Sequence, residues 1–251
     1  MLEALAPGRI VAGLLRGTTN EYLSYDLNAD EARGRTDEGM ELILRAWTEP
    51  ESFGWQGRYF QFRTVSIWPS RQPNGPQSYI LGTSAEAGSF AARHRMGMGV
   101  SYGPFDVMAR ATAHYRSECE AFGWTPGPDD IVFRANMILG ETDAQADAKL
   151  AARDGRAPFP IGGRLRDALI AADTSRNIAG QRQQANVGGV LPISFCGGPD
   201  RVVEQIQRCR DVVGTGVLDI SLTDPGTDSL DAMMDSLSLF ARTVLPRVRD
   251  I

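Results

Sequence analysis

Two short stretches of this chain carry residue types suited to holding an anion. Leu81-Gly82-Thr83-Ser84-Ala85 leads from a short apolar strand, Ser78 to Leu81, through two hydroxyl residues into a helix. Unpaired amides and the dipole at a helix N-terminus favour negative charge, most often a phosphate. Upstream, the strand-like run Arg9 to Leu15 ends in Arg16-Gly17. An arginine at the carboxyl end of a strand offers a two-pronged fork to phosphate. Two strand ends with phosphate-suited groups predict a phosphorylated cofactor across the mouth of a parallel sheet. Each feature also has a plainer reading, as a surface ion pair for Arg16 and as helix caps for Thr83 and Ser84.

A third motif points to different chemistry. Gly99-Val100-Ser101-Tyr102-Gly103 has the Gly-x-Ser-x-Gly spacing of a hydrolase nucleophile elbow, between a strand and a helix. That mechanism needs a histidine base late in the chain. The only histidine after Ser101 is His114, inside the next helix, so the hydrolase reading lacks its base. His94 reads as a solvated or capping residue. With two histidines and no cysteine pair at ligand spacing, no metal site is expected. Cys119, Cys196 and Cys209 are odd in number and widely spaced, which fits a reducing compartment and predicts a cytoplasmic protein.

The elements that must position these residues alternate almost from the start. Strands are expected at Arg9–Leu15, Ser78–Leu81, Met96–Tyr102, Ile131–Leu139 and Val217–Leu222. Helices are expected over about 29–47, 85–95, 106–122, 142–153, 199–213 and 229–248. Thr142 through Gln145 has capping-box spacing, Pro199 opens the penultimate helix, and Gly214 stops it. Residues 52–68, rich in aromatics and broken by Gly54 and Gly57, read as an inserted hairpin. Residues 156–196 break the rhythm as a Gly- and Arg-rich excursion or lid, with one helix near 165–172.

The 251 residues, 42% hydrophobic, are enough for one domain, and a net charge of −5 gives no pull toward nucleic acid or an anionic membrane. No membrane span or signal peptide is apparent. Five βα units in one direction fit either a doubly wound sheet or part of an eight-stranded barrel.

Taken in order, several stretches resemble the luciferase-like flavin monooxygenases. They are Leu5-Ala6-Pro7-Gly8-Arg9 through Arg16-Gly17 with Glu21-Tyr22, and the hairpin Tyr59-Phe60-Gln61-Phe62 to Trp68-Pro69. Thr83-Ser84-Ala85 leading into Phe90-Ala91-Ala92-Arg93, Cys196-Gly197-Gly198-Pro199-Asp200, and Phe240 through Pro246 complete the set. The resemblance implies an α/β fold of the TIM (β/α)8 type that binds reduced FMN, or in one branch the deazaflavin F420. It also implies a small organic substrate, O2 and an electron donor such as a flavin reductase. It assigns phosphate binding to Arg16 and Ser84, with Ala87 and Gly88 at the backbone positions that complete the cradle and Thr83 as a neighbouring cofactor-binding position. It places Leu15, Tyr22, Ser101 and Tyr102 against or near the flavin ring.

The chain departs from the family pattern at two places. Thr83 stands where the family carries a carboxylate. Three βα units expected before the Arg9 strand, including the region of the luciferases' catalytic histidine, have no counterpart. The chain thus corresponds to strands four to eight of an incomplete barrel, and no catalytic acid or base is assigned. An upstream start, completion by a partner or a second copy, and a truncated remnant all remain open, and exposed barrel edges favour self-association.

Overall fold

The computed structural model describes residues 1–17, 21–22, 25, 27–69, 76–154, 192–222 and 229–249. Contacts divide the chain into two compact units, the first containing Met1–Ser78 and the second Tyr79–Ala157 with Val190–Ile251.

In the first unit a single turn of helix, α1 (Leu2–Leu5), precedes strand β1 (Val11–Leu14). Helix α2 (Ala29–Thr48) starts at Asn28, whose side chain accepts from the Asp30 amide at 3.1 Å, and it buries Ala32 and Met40. The expected hairpin is present as β2 (Phe53–Gln56) and β3 (Gln61–Val65), antiparallel, with Phe53 opposite Val65 and Trp55 opposite Phe62.

One carboxylate pins this hairpin to α2. Glu38 accepts from Trp55 Nε1 at 3.1 Å and from the Tyr59 and Phe60 amides, each at 2.9 Å. Loss of hydration raises its carboxyl, but these hydrogen bonds outweigh that and hold it below the ordinary value. The Arg45 guanidinium lies 4.1 Å from the Phe53 ring centre, and Arg35 covers Tyr59 and Phe60 at 5.6 and 5.4 Å.

The second unit is built on five parallel strands, an open half-barrel. β4 (Gln77–Leu81), β5 (Gly97–Ser101) and β6 (Ile131–Leu139) follow one another across the sheet. β7 (Phe195–Gly197) and β8 (Val217–Leu222) both pair with β6. Helices α3 (Ala85–Arg93), α4 (Phe105–Ala121), α5 (Asp143–Asp154) and α6 (Pro199–Val213) connect them.

α6 buries Val202, Ile206, Cys209 and Val213 and ends at Gly214 with φ 74°. Thr112 of α4 donates to Val213 O at 2.9 Å and ties the two helices together. Phe105, Phe133 and Phe195 pack with ring centres 5.6 to 6.2 Å apart. Thr142 Oγ1 accepts from the Gln145 amide at 3.3 Å, while Gln145 Oε1 accepts from Glu141 N at 2.6 Å, one residue earlier than a capping box requires.

Two boundaries differ from expectation. The last helix is broken at Val244 into α7 (Leu230–Thr243) and α8 (Leu245–Val248), because Pro246 lacks the amide that a continuous helix needs. Of the 156–196 excursion, only 192–196 is described, and there Phe195 begins a strand opposite Met137. The helix expected near 165–172 lies outside the described residues. Among the described residues no helix is long and apolar enough to cross a membrane.

Candidate functional site

The nine residues singled out from the sequence fall in both units. Leu15, Arg16 and Tyr22 lie in the first. Leu15 and Arg16 are exposed just past the end of β1, and Gly17 follows with φ 86°. Tyr22 is buried, and its hydroxyl reaches the carbonyls of Arg16 and Gly17 at 3.2 and 3.3 Å. Its ring therefore fixes the turn that presents Arg16. No ion pair to the Arg16 guanidinium occurs among the described residues.

In the second unit the structure brings two strand ends together. β4 and β5 run parallel with Leu81 beside Gly99, and Gly82 N donates to Gly99 O at 2.9 Å just beyond the ladder. From β4 the chain passes through exposed Thr83 and Ser84 into α3. Ser84 is the N-cap residue, with its Oγ accepting from Ala87 N at 3.3 Å.

The Gly88 amide is used within α3, donating to Ser84 O at 3.2 Å. Gly88 is buried, and a Cβ there would lie 3.2 Å from the His114 ring, so its lack of a side chain serves the packing of α3 on α4. Ala87 and Gly88 thus spend their amides on the cap and the helix. Exposed Thr83 and Ser84 stand at the N-terminus of α3, where the helix dipole favours an anion.

Beside this junction β5 ends in exposed Ser101, and Tyr102 turns the chain with φ 57°. The Tyr102 amide donates to Arg134 O at 3.1 Å, and the Arg134 guanidinium lies 5.8 Å from the Tyr102 ring centre. Arg134 in turn meets Asp219 Oδ2 at 3.6 Å, both side chains half exposed. Strand register puts Ser101, Arg134 and Asp219 side by side on one face of the sheet. Sequence reasoning missed Arg134 and Asp219. The available signal was a single charge within each of two mostly apolar strands, Ile131–Leu139 and Val217–Leu222.

The hydrolase alternative finds no support here. The left-handed residue is Tyr102, not Ser101. His114 Nε2 lies 3.3 Å from Ser89 Oγ and 3.2 Å from Ala85 O, bridging two helices. His94 ends α3 with its ring centre 4.4 Å from that of Phe90. Neither histidine serves Ser101. Among the described residues no group of three His, Cys, Asp or Glu side chains is arranged to hold a metal.

Solved structures share this fold. The monooxygenase RslO1 from Streptomyces bottropensis is 25% identical, with TM-score 0.74, over 98% of this chain and 71% of that one. The oxygenating constituent of 3,6-diketocamphane monooxygenase from Pseudomonas putida, solved with FMN, is 17% identical, with TM-score 0.64, over 94% and 70%. An F420-dependent secondary alcohol dehydrogenase, solved with an F420–acetone adduct, is 12% identical, with TM-score 0.69, over 99% and 72%. No curated protein matches the chain in sequence. A model of the luciferase-like monooxygenases matches residues 1–216, which takes in both strand ends, the aromatic hairpin and α6, and the chain therefore belongs to the luciferase-like monooxygenase family.

Proposed function

We propose that this chain is a flavin-dependent oxidoreductase of the monooxygenase type, using reduced FMN and O2 on a small organic substrate. The observation that carries this reading is the pair of adjoining strand ends in a chain of this family. β4 opens into an exposed Thr83–Ser84 helix cap, and β5 ends in Ser101–Tyr102 beside Arg134 and Asp219.

When bound, the flavin supplies the electrons and activates O2. The chain's own residues bind and orient. Thr83 and Ser84 would hold the phosphate at the N-terminus of α3, where the helix dipole favours its charge. The family resemblance gives Arg16 a phosphate-binding role as well, and the buried Tyr22 holds the turn that carries it. Leu15 gives an apolar surface for the ring. Ser101 and Tyr102 line the other strand end, where Arg134 and Asp219 add a donor and an acceptor. No side chain is assigned as acid or base.

An F420-dependent oxidoreductase of the same fold is the second reading, favoured by the likeness to the F420-dependent alcohol dehydrogenase. A flavin-binding subunit that needs a partner for turnover is the third. We place the protein in the reducing cytoplasm, in keeping with three buried free thiols, with a flavin reductase as the source of reduced flavin.

Titration of the purified chain with FMN, followed by flavin fluorescence, tests the assignment. Saturable micromolar binding that Arg16→Ala and Ser84→Ala each weaken is expected, by about tenfold or 1.4 kcal/mol for Arg16→Ala. Tighter binding of F420 under the same conditions moves the assignment to the second reading. Binding of FMN without turnover on added reductase and O2 favours the third. A folded chain that binds neither cofactor overturns all three.

A further inference from the structure

Among the described residues, the last long helix turns an apolar seam to solvent. On α7, Leu230, Met233, Met234 and Leu237 are 70%, 49%, 50% and 47% exposed, and Ala241 is exposed as well. The opposite face, with Ser236 buried and Leu239 and Phe240 half-buried, is the one packed on the unit. The exposed residues are not scattered. Leu230, Met234, Leu237 and Ala241 follow one another at intervals of four, three and four, the spacing of a two-helix seam. Large exposed apolar patches with a regular pattern mark association surfaces.

The charges beside the seam select what covers it. Asp231, Asp235 and Arg242 are exposed along one flank, acidic toward the helix start and basic at its end. A parallel copy would set like charges side by side. An antiparallel copy, related by a two-fold axis near the middle of α7, sets Leu230 against Ala241 and Met234 against Leu237. The same axis brings Asp231 of each copy opposite Arg242 of the other, twice over by symmetry.

We propose that α7 is a self-complementary docking surface through which two copies of this chain pair antiparallel. A 14-residue helix gives a seam only about 21 Å long. Such a contact is small, so the dimer should form in the micromolar range rather than be obligate.

Sedimentation of the purified chain, of mass 27.3 kDa, tests this across about 1 to 200 µM. A reversible rise to twice that mass is expected. Leu237→Glu, at an exposed position, should raise the dimer dissociation constant at least tenfold, with an unchanged near-ultraviolet spectrum showing that the fold is kept. Arg242→Asp and Asp231→Arg should each weaken the dimer by about three- to tenfold. The double variant Asp231→Arg with Arg242→Asp should restore it.

A chain that stays monomeric throughout overturns the proposal. So does a dimer indifferent to Leu237→Glu, and so does a charge swap that fails to restore what the single reversals lost. Occupation of the seam by a separate polypeptide that adds strands beside β8, in place of a second copy, overturns it as well.

Discussion

Tyr22 separates two ways in which an aromatic residue beside a cofactor site can act. Its ring is buried, and its hydroxyl is spent on the carbonyls of Arg16 and Gly17. It therefore acts on the site by holding the turn, where Gly17 takes the left-handed φ of 86°. Removing that hydroxyl leaves two carbonyls less well satisfied at a cost of about 0.5–1.5 kcal/mol of stability. Tyr22→Phe should also weaken FMN binding a few-fold, because Arg16 is presented less rigidly. The same substitution made on top of Arg16→Ala should cost almost nothing further in affinity. A double-mutant cycle on the FMN titration reads this directly. If the two effects simply add, Tyr22 touches the cofactor by itself. Ser84 differs, since it caps α3 and is proposed to bind the phosphate as well, so Ser84→Ala should lose both stability and affinity.

Elements here are specified by a few contacts that a sequence only half reveals. Gly97 opens β5 beneath the Tyr79 ring, and a Cβ there would fall on that ring and lie 2.8 Å from Asp130 O. Tyr79 cannot easily give way, because its hydroxyl donates to Asp129 O at 2.6 Å. Gly97→Ala should therefore destabilise the second unit by about 1–3 kcal/mol, as overpacking does, and chemical denaturation measures it. In the first unit Glu38 holds the hairpin, and because its folded pKa is depressed its contribution is present above the ordinary carboxylate value of 4.5. That contribution is lost as pH falls from there through the folded value. Trp55 fluorescence should report loosening of the hairpin over that acid range, and Glu38→Gln should show the loosening already at neutral pH. An acid-insensitive hairpin would deny Glu38 this role. The hairpin was legible from aromatics and glycines, whereas its anchor was not. Glu38 looks like any surface glutamate of an amphipathic helix until the fold brings three donors to it. The break in the last helix was written in Pro246, but the apolar residues beyond it argue for continuation, and the missing amide decides.

At the scale of the whole chain, the alternation of strands and helices carried the parallel architecture, because a buried parallel strand needs an apolar run and a crossover helix. The short strand Phe195–Gly197 escaped that reading, since three residues show no period. The pairing of Arg134 with Asp219 escaped it too, because register between distant strands is set only in the folded sheet. The second unit holds all three cysteines, each buried: Cys119 on α4, Cys196 on β7 and Cys209 on α6. Burial pushes the Cys119 thiol up to about 11 and that of Cys209 to about 12, from an ordinary 9, and raises Cys196 as well. A raised thiol pKa means the folded state keeps protons that the unfolded state releases. Stability from these sites is thus complete below pH 9 and falls as pH rises through the folded values. Thiolate is the reactive form, so at pH 8 the native protein should label slowly with a thiol-specific disulfide reagent. The Thr112 bond to Val213 ties the helices of Cys119 and Cys209. Both thiols should accordingly become reactive at one denaturant concentration, coincident with loss of the near-ultraviolet signal. Earlier labelling of Cys209 alone would mean that α6 opens separately, and that the sheet is not held as one cooperative unit.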